Sequence, residues 1–126
     1  MSTGVFICKC QPLTSSHIEV ISQMYDDTDD HVVLISSANR ASPYTYEERY
    51  TELRHIFPSI DILPLNDYES DDMWIVEVTS ILHQFNDVVI YGHNRVDNEY
   101  LTWFNEYRYV EVDYIPDIML LMRSCI

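Results

Sequence analysis

The chain has 126 residues, enough for one packed domain, and 47% hydrophobic with 13% aromatic residues is ample to fill a core. Twenty-one acidic against seven basic side chains leave a formal charge of −14, and the lysine and arginines are scattered along the chain, which argues against binding nucleic acid. No run approaches the ~20 apolar residues of a membrane span and the first residues lack a basic, then apolar, signal pattern, so the expectation is a cytoplasmic protein without membrane contact.

The elements follow from periodicity. An apolar strand runs from Val5 to Cys10, and a helix from Ser16 to Tyr25 places Ile18, Ile21 and Met24 on one face. The acidic residues Asp26, Asp27, Asp29 and Asp30 read as a solvated helix end, because they lack the glycine-centred loop of a calcium hand. Residues 31–37 (HVVLISS) form a second strand, and residues 45–57 a helix capped by Thr45 with Glu48 in capping-box spacing. IDILPL (60–65) is a third strand, and residues 70–85 a helix opened by Ser70 and an acidic first turn. DVVIYGH (87–93) is a fourth strand, DNEYLTWFNEY (97–107) a helix, RYVEVDYI (108–115) a fifth strand, and Pro116 starts a last short helix.

Five apolar strands alternating with helices predict an α/β domain, a doubly wound five-stranded parallel sheet spanning residues 1–126 as a single unit. Ligands of such sheets bind beyond the carboxyl ends of the strands, where strand order reverses. The first of those ends is CQPLTSSH, residues 10–17. Cys8 and Cys10 should alternate across one strand and, with Cys125 making an odd set, read as buried free thiols; neither a disulfide framework nor a metal site is expected. His31, His55 and His83 lack metal-ligand spacing and read as surface histidines.

At these strand ends the sequence resembles the nicotinamide-nucleotide (NMN) adenylyltransferases of the archaeal type, and the related domain fused to a Nudix hydrolase in some bacteria and phages. CKCQPLTSSH (8–17) corresponds to the family's Gly-Arg-Phe-Gln-Pro-Phe-His-x-Gly-His turn, SAN (37–39) to its Ser-Ala-Asn, and SPYTYEER (42–49) to its Asn-Pro-Phe-Thr-x-x-Glu-Arg. ILPLNDYESDDMW and YGHNRVDNEYLTWF match the third-strand exit, tryptophan helix and Gly-His loop in character and order. The resemblance implies a Rossmann-like nucleotidyltransferase fold and a reaction joining a mononucleotide phosphate to the α-phosphate of ATP with magnesium, by positioning and charge stabilisation. It implies catalytic roles for His17, as a hydrogen-bond donor to the phosphate under attack, and for Thr14, in the place of the motif's first histidine. Lys9, Arg40 and Arg123 would bind phosphate. Ser37, Asn39, Trp74, Gly92 and His93 would bind nucleotide, although Trp74 reads equally well as core and His93 as a loop brace. Trp103 is expected in the core.

Departures from the pattern set the functional expectation. Ser16 and Cys8 replace glycines, Lys9 lacks the fork of an arginine, the loop between Asn39 and Pro43 is short, and Ile118 and Leu120 stand where the family has polar phosphate ligands. The leading reading is therefore a catalytically impaired relative, a pseudoenzyme. Its acidic surface, carrying Tyr44, Tyr46, Tyr50, Tyr100 and Tyr107, would bind a basic host protein, as would suit a phage-encoded factor, unless those tyrosines simply fill helix–sheet seams. The alternatives are an active minimal NMN adenylyltransferase using ATP and magnesium, and a binder of nicotinamide nucleotides that does not turn them over.

Overall fold

A computed structural model of the protein describes residues 2–41, 43–92, 103–104 and 106–112. In chain order its elements are β1 (Thr3–Cys8), α1 (Ser15–Asp27), β2 (Asp30–Ile35), α2 (Tyr46–Ile56), β3 (Asp61–Pro64), α3 (Asp71–Leu82), β4 (Val88–Gly92) and β5 (Arg108–Glu111). The strands form one sheet in the order β3-β2-β1-β4-β5, and every neighbouring pair is parallel. The chain crosses from one half of the sheet to the other after β3, so the order reverses beside β1 and β4. A ligand site is expected above that junction.

Helices cover both faces, as the continuous apolar strands require. On one face Val20, Ile21 and Met24 of α1 and Leu53 of α2 pack on Phe6, Val33, Ile35 and Val89. On the other, Val78 and Leu82 of α3 and Phe104 pack on Val5, Ile7, Val32, Leu34 and Ile90. Gly4 is what lets α1 lie so close to β1: a Cβ there would stand 2.8 Å from Thr28 Oγ1 and 3.3 Å from Met24 Cβ.

The capping readings hold, with Thr45 and Glu48 forming the box at α2 and Ser70 accepting from Met73 N–H at α3. Boundaries shift elsewhere. β1 begins two residues earlier than expected, because Thr3 is already paired with Asp30 and Val88. It ends at Cys8, because the chain turns sharply at Cys10, whose φ is 52°. That turn also overturns the free-thiol expectation: Cys8 and Cys10 are joined by a disulfide, with Cα atoms 5.5 Å apart. In a continuing strand residues two apart share a face, with Cα atoms about 6.7 Å apart, at the far limit of disulfide geometry; the turn at Cys10 brings the two Cα atoms to 5.5 Å, where the bond fits. α3 stops at Leu82 rather than continuing to residue 85. His93, most of the helix expected at 97–107, and the last helix with Ile118, Leu120 and Arg123 lie outside the described residues.

Tyr91 of β4 ties the sheet to the end of α1 by donating to Asp27 Oδ2 at 3.0 Å. Burial, then this bond to a carboxylate, pushes its hydroxyl well above the usual tyrosine range. The folded pKa exceeds the unfolded one, so the stabilisation is complete below pH ~10 and is lost as pH rises toward the folded value. Urea midpoints are therefore expected to fall above pH ~10, and Tyr91→Phe should flatten that fall; an identical slope in the variant would show that Tyr91 does not carry it.

Candidate nucleotide site

A cavity of about 500 Å³ opens above the β1/β4 junction, lined by the ends of β1, β2 and β4, the start of α1 and the α3 helix. Its size suits a small ligand. The lining is chemically mixed: Lys9, His17, Ser37 and Arg40 share it with Trp74 and Trp103 and with the carboxylates of Asp67 and Asp71.

His17 occupies the third position of α1, and its orientation is fixed by the helix cap. The Thr14 backbone N–H donates to His17 Nδ1 at 3.0 Å, so Nδ1 is the acceptor and the proton of the neutral ring sits on Nε2. Thr14 itself does not line the cavity; its hydroxyl lies 2.8 Å from Ser16 Oγ and 3.0 Å from the same ring nitrogen. Thr14 therefore braces the His17 ring. Ser16, which stands where the family has a glycine, turns its hydroxyl to Thr14 and does not line the cavity.

The SAN turn is a clasp. Ser37 has φ 55°, a left-handed conformation that surrounding bonds must hold, and its hydroxyl donates to Asp67 Oδ1 at 2.8 Å. Asn39 stands beside the cavity, with Nδ2 donating to the Asp67 carbonyl at 3.2 Å and Oδ1 accepting from Asp67 N–H at 2.8 Å. Asp67 thus receives Ser37, Asn39 and also Arg40, whose Nε lies 2.9 Å from Asp67 Oδ2. Arg40 keeps its terminal nitrogens for a ligand, but beside a carboxylate. Replacing Asp67 with asparagine keeps an acceptor for Ser37 and removes the charge; pyrophosphate binding by calorimetry is expected to tighten by about threefold to tenfold, or about 0.7–1.4 kcal/mol of screened Coulomb energy. Unchanged or weaker binding would show that Asp67 matters only as a clasp.

Trp74 lies half-buried on α3, between the core and the cavity. Trp103, expected in the core, is instead 37% exposed and meets Trp74 edge-on, with ring centroids 6.1 Å apart. The pair forms an aromatic wall. Gly92 closes β4 at the cavity floor.

Arg49, the last residue of SPYTYEER, is the hub beneath the site. The side chain is 2% exposed. Nη1 donates to the carbonyls of Ser36 at 2.7 Å and Lys9 at 3.1 Å, Nη2 to Ser37 at 2.9 Å, and Nε to Thr45 at 3.2 Å. One guanidinium therefore joins the exits of β1 and β2 to the start of α2. Burial lowers its pKa, opposed by the charges of Asp67 and Glu47; an arginine remains protonated at neutral pH all the same. The signal for this role was available in the sequence: an arginine following the capping glutamate of α2, one turn into the helix, where it faces the sheet.

Among the described residues no group of three His, Cys, Asp or Glu side chains is placed to hold a metal ion, and no helix is long and apolar enough to cross a membrane.

The sequence profile of the Cytidylyltransferase-like family matches residues 5–120. The nicotinamide-nucleotide adenylyltransferase of Methanosarcina mazei is 28% identical over 102 residues, 75% of this chain and 58% of the relative. The chain thus spans a little over half the length of that protein. Among solved structures, a bifunctional NMN adenylyltransferase/ADP ribose pyrophosphatase from Francisella tularensis superposes with a TM-score of 0.80 at 22% identity, over 92% of this chain and 39% of the other. The same bacterial protein in complex with AMP and a manganese ion gives 0.78. Sheet order, crossover site and profile agree: the chain belongs to the cytidylyltransferase-like family, has its Rossmann-like nucleotidyltransferase fold, and resembles the archaeal NMN adenylyltransferases within it.

Proposed function

We propose that the cavity binds a nicotinamide mononucleotide and that the chain retains a weakened form of adenylyl transfer. The observation that supports this is the lining of the cavity: one space of about 500 Å³ is bordered both by cationic and hydrogen-bonding groups (Lys9, His17, Arg40) and by an aromatic pair (Trp74, Trp103), the groups that a phosphate joined through a ribose to a flat ring needs. In this reading Nε2–H of His17 donates to the phosphate, Lys9 and Arg40 neutralise it, and Trp74 stacks on the ring with Trp103 behind it. A second nucleotide, ATP with its magnesium, would bring its own ion as part of the substrate.

The weakening comes from charge. Arg40 is shared with Asp67, Lys9 is a point charge rather than a fork, and a net charge of −14 opposes entry of a triphosphate. Partner binding through tyrosines has less to rest on: Tyr46 and Tyr50 pack against the core below α2, Tyr107 packs against the opposite cluster, and Tyr44 at 39% exposure stands out in the loop before α2.

The reading is tested by tryptophan fluorescence during titration with nicotinamide mononucleotide, followed by an assay of pyrophosphate release with magnesium and ATP. Quenching that disappears in Trp74→Phe is expected, with slow turnover. Absence of quenching in the unaltered protein would refute the ring site, and binding without any turnover would leave the chain a nucleotide binder.

A further inference from the structure

We propose that Cys8 and Cys10 are a redox-active pair that exchanges with small thiols through the nucleotide cavity, and that the disulfide form holds phosphate more tightly. The second half rests on the nucleotide reading above; the first does not. The two cysteines flank Lys9, whose side chain lines the cavity and whose carbonyl accepts from Arg49 Nη1. Both cysteines belong to one core cluster, but Cys8, 7% exposed, also lines the cavity, whereas Cys10, 2% exposed, does not. Their separation of two residues closes a ring too short to remove much entropy from the unfolded chain. As a staple for the whole fold it does little. Locally it does more, because Cys10 has φ 52°, and a non-glycine residue stays in that region only when its surroundings hold it there. The cross-link is one such restraint. Reduction removes it and frees the Lys9 segment at the point where β1 meets the phosphate side of the cavity.

The placement also sets the order of the exchange. Starting from the dithiol, the Cys8 thiolate attacks a sulfur of a small disulfide such as oxidised glutathione, forming a mixed disulfide and releasing one glutathione thiolate. The Cys10 thiolate then attacks the Cys8 sulfur, the Cys8–Cys10 bond forms, and the second glutathione leaves. The two protons lost by the protein thiols are taken up by the two departing thiolates, so the glutathione disulfide is reduced as the protein dithiol is oxidised. A phosphate ligand in the cavity must be coupled to this equilibrium reciprocally: if the disulfide form binds it better, the ligand favours the disulfide by the same factor.

The full chain would be equilibrated over a series of reduced-to-oxidised glutathione ratios, alkylated, and the peptide holding Cys8 and Cys10 weighed, with and without saturating inorganic pyrophosphate. A single transition in which both cysteines change together is expected, displaced toward the oxidised form by about fivefold or more when pyrophosphate is present. In Cys10→Ser, Cys8 should alkylate when the glutathione present is reduced, and pyrophosphate should bind as weakly as to the reduced protein. Alkylation of both cysteines at every ratio, or of neither even in excess reductant, would overturn the redox pair. A midpoint unmoved by pyrophosphate that demonstrably binds would overturn the coupling. Failure of pyrophosphate to bind in either state would instead refute the nucleotide reading, and the coupling with it, while the glutathione series still decides the exchange.

Discussion

Replacement of Arg49 by methionine is expected to lower folding stability by about 3–5 kcal/mol, a large fraction of the ~5–15 kcal/mol that holds a domain folded. The figure follows from where its bonds go. The carbonyls of Ser36, Lys9 and Ser37 each accept from its terminal nitrogens, and a buried carbonyl left unpaired costs ~1–3 kcal/mol. The Ser37 carbonyl keeps its bond from the Arg40 N–H at 3.1 Å, and those of Lys9 and Ser36 can regain water because both residues border the cavity, which sets the total below the simple sum. Arg49→Lys keeps the charge but cannot reach carbonyls on two strand exits and the α2 start at once, so about half the loss is expected there. Urea midpoints for both variants test this. A loss below ~1 kcal/mol in the methionine variant would show that the three segments hold their positions without the guanidinium. Because those segments carry Lys9 and Ser37, ligand binding should fail in the methionine variant even under conditions where it remains folded.

The second large effect is expected at His17. Removing its ring in His17→Ala takes away the Nε2–H donor to a bound phosphate, a charge-assisted hydrogen bond of ~1.5–3 kcal/mol, so affinity for nicotinamide mononucleotide should fall by about 10-fold to 150-fold. Stability should change by no more than about 1 kcal/mol, the value of a helix cap, since the Thr14 N–H that now donates to Nδ1 is at the exposed end of α1. Glutamine at position 17 can accept from Thr14 N–H through its oxygen and donate through its nitrogen. Partial recovery of binding in His17→Gln, with none in His17→Ala, is the expected result. Equal loss in both would mean that the imidazole ring acts through packing, for example against Phe6, whose ring centroid lies 6.1 Å away.

The order of elements and the capping of α2 and α3 were legible because each rests on local signals: apolar runs for the strands, Thr45 with Glu48 and Ser70 for the helix starts. Of the residues the resemblance singled out, Lys9, His17, Ser37, Arg40, Trp74 and Gly92 line one cavity, Thr14 and Asn39 do not, and His93 and Arg123 lie outside the described residues. What was not legible depends on contacts distant in sequence or on backbone turns without a periodic signature. Asp67 draws Ser37 and Arg40 from about thirty residues away, and nothing in the run LNDYES marks it apart from the neighbouring acids. The Cys8–Cys10 bond comes with a positive φ at Cys10, a turn that an apolar run read as extended strand does not announce. Trp103 reads as core because it sits among apolar residues, yet it reaches the cavity through its edge contact with Trp74.

The most direct test of the central claim is a calorimetric comparison of nicotinamide mononucleotide with nicotinamide riboside, which has the same ring and sugar but no phosphate. With Lys9, His17 and Arg40 gripping the phosphate, the mononucleotide is expected to bind at least ~10-fold more tightly than the riboside, and His17→Ala should narrow that gap. Equal affinities for the two compounds, or no heat from either, would contradict the assignment of this cavity to a mononucleotide.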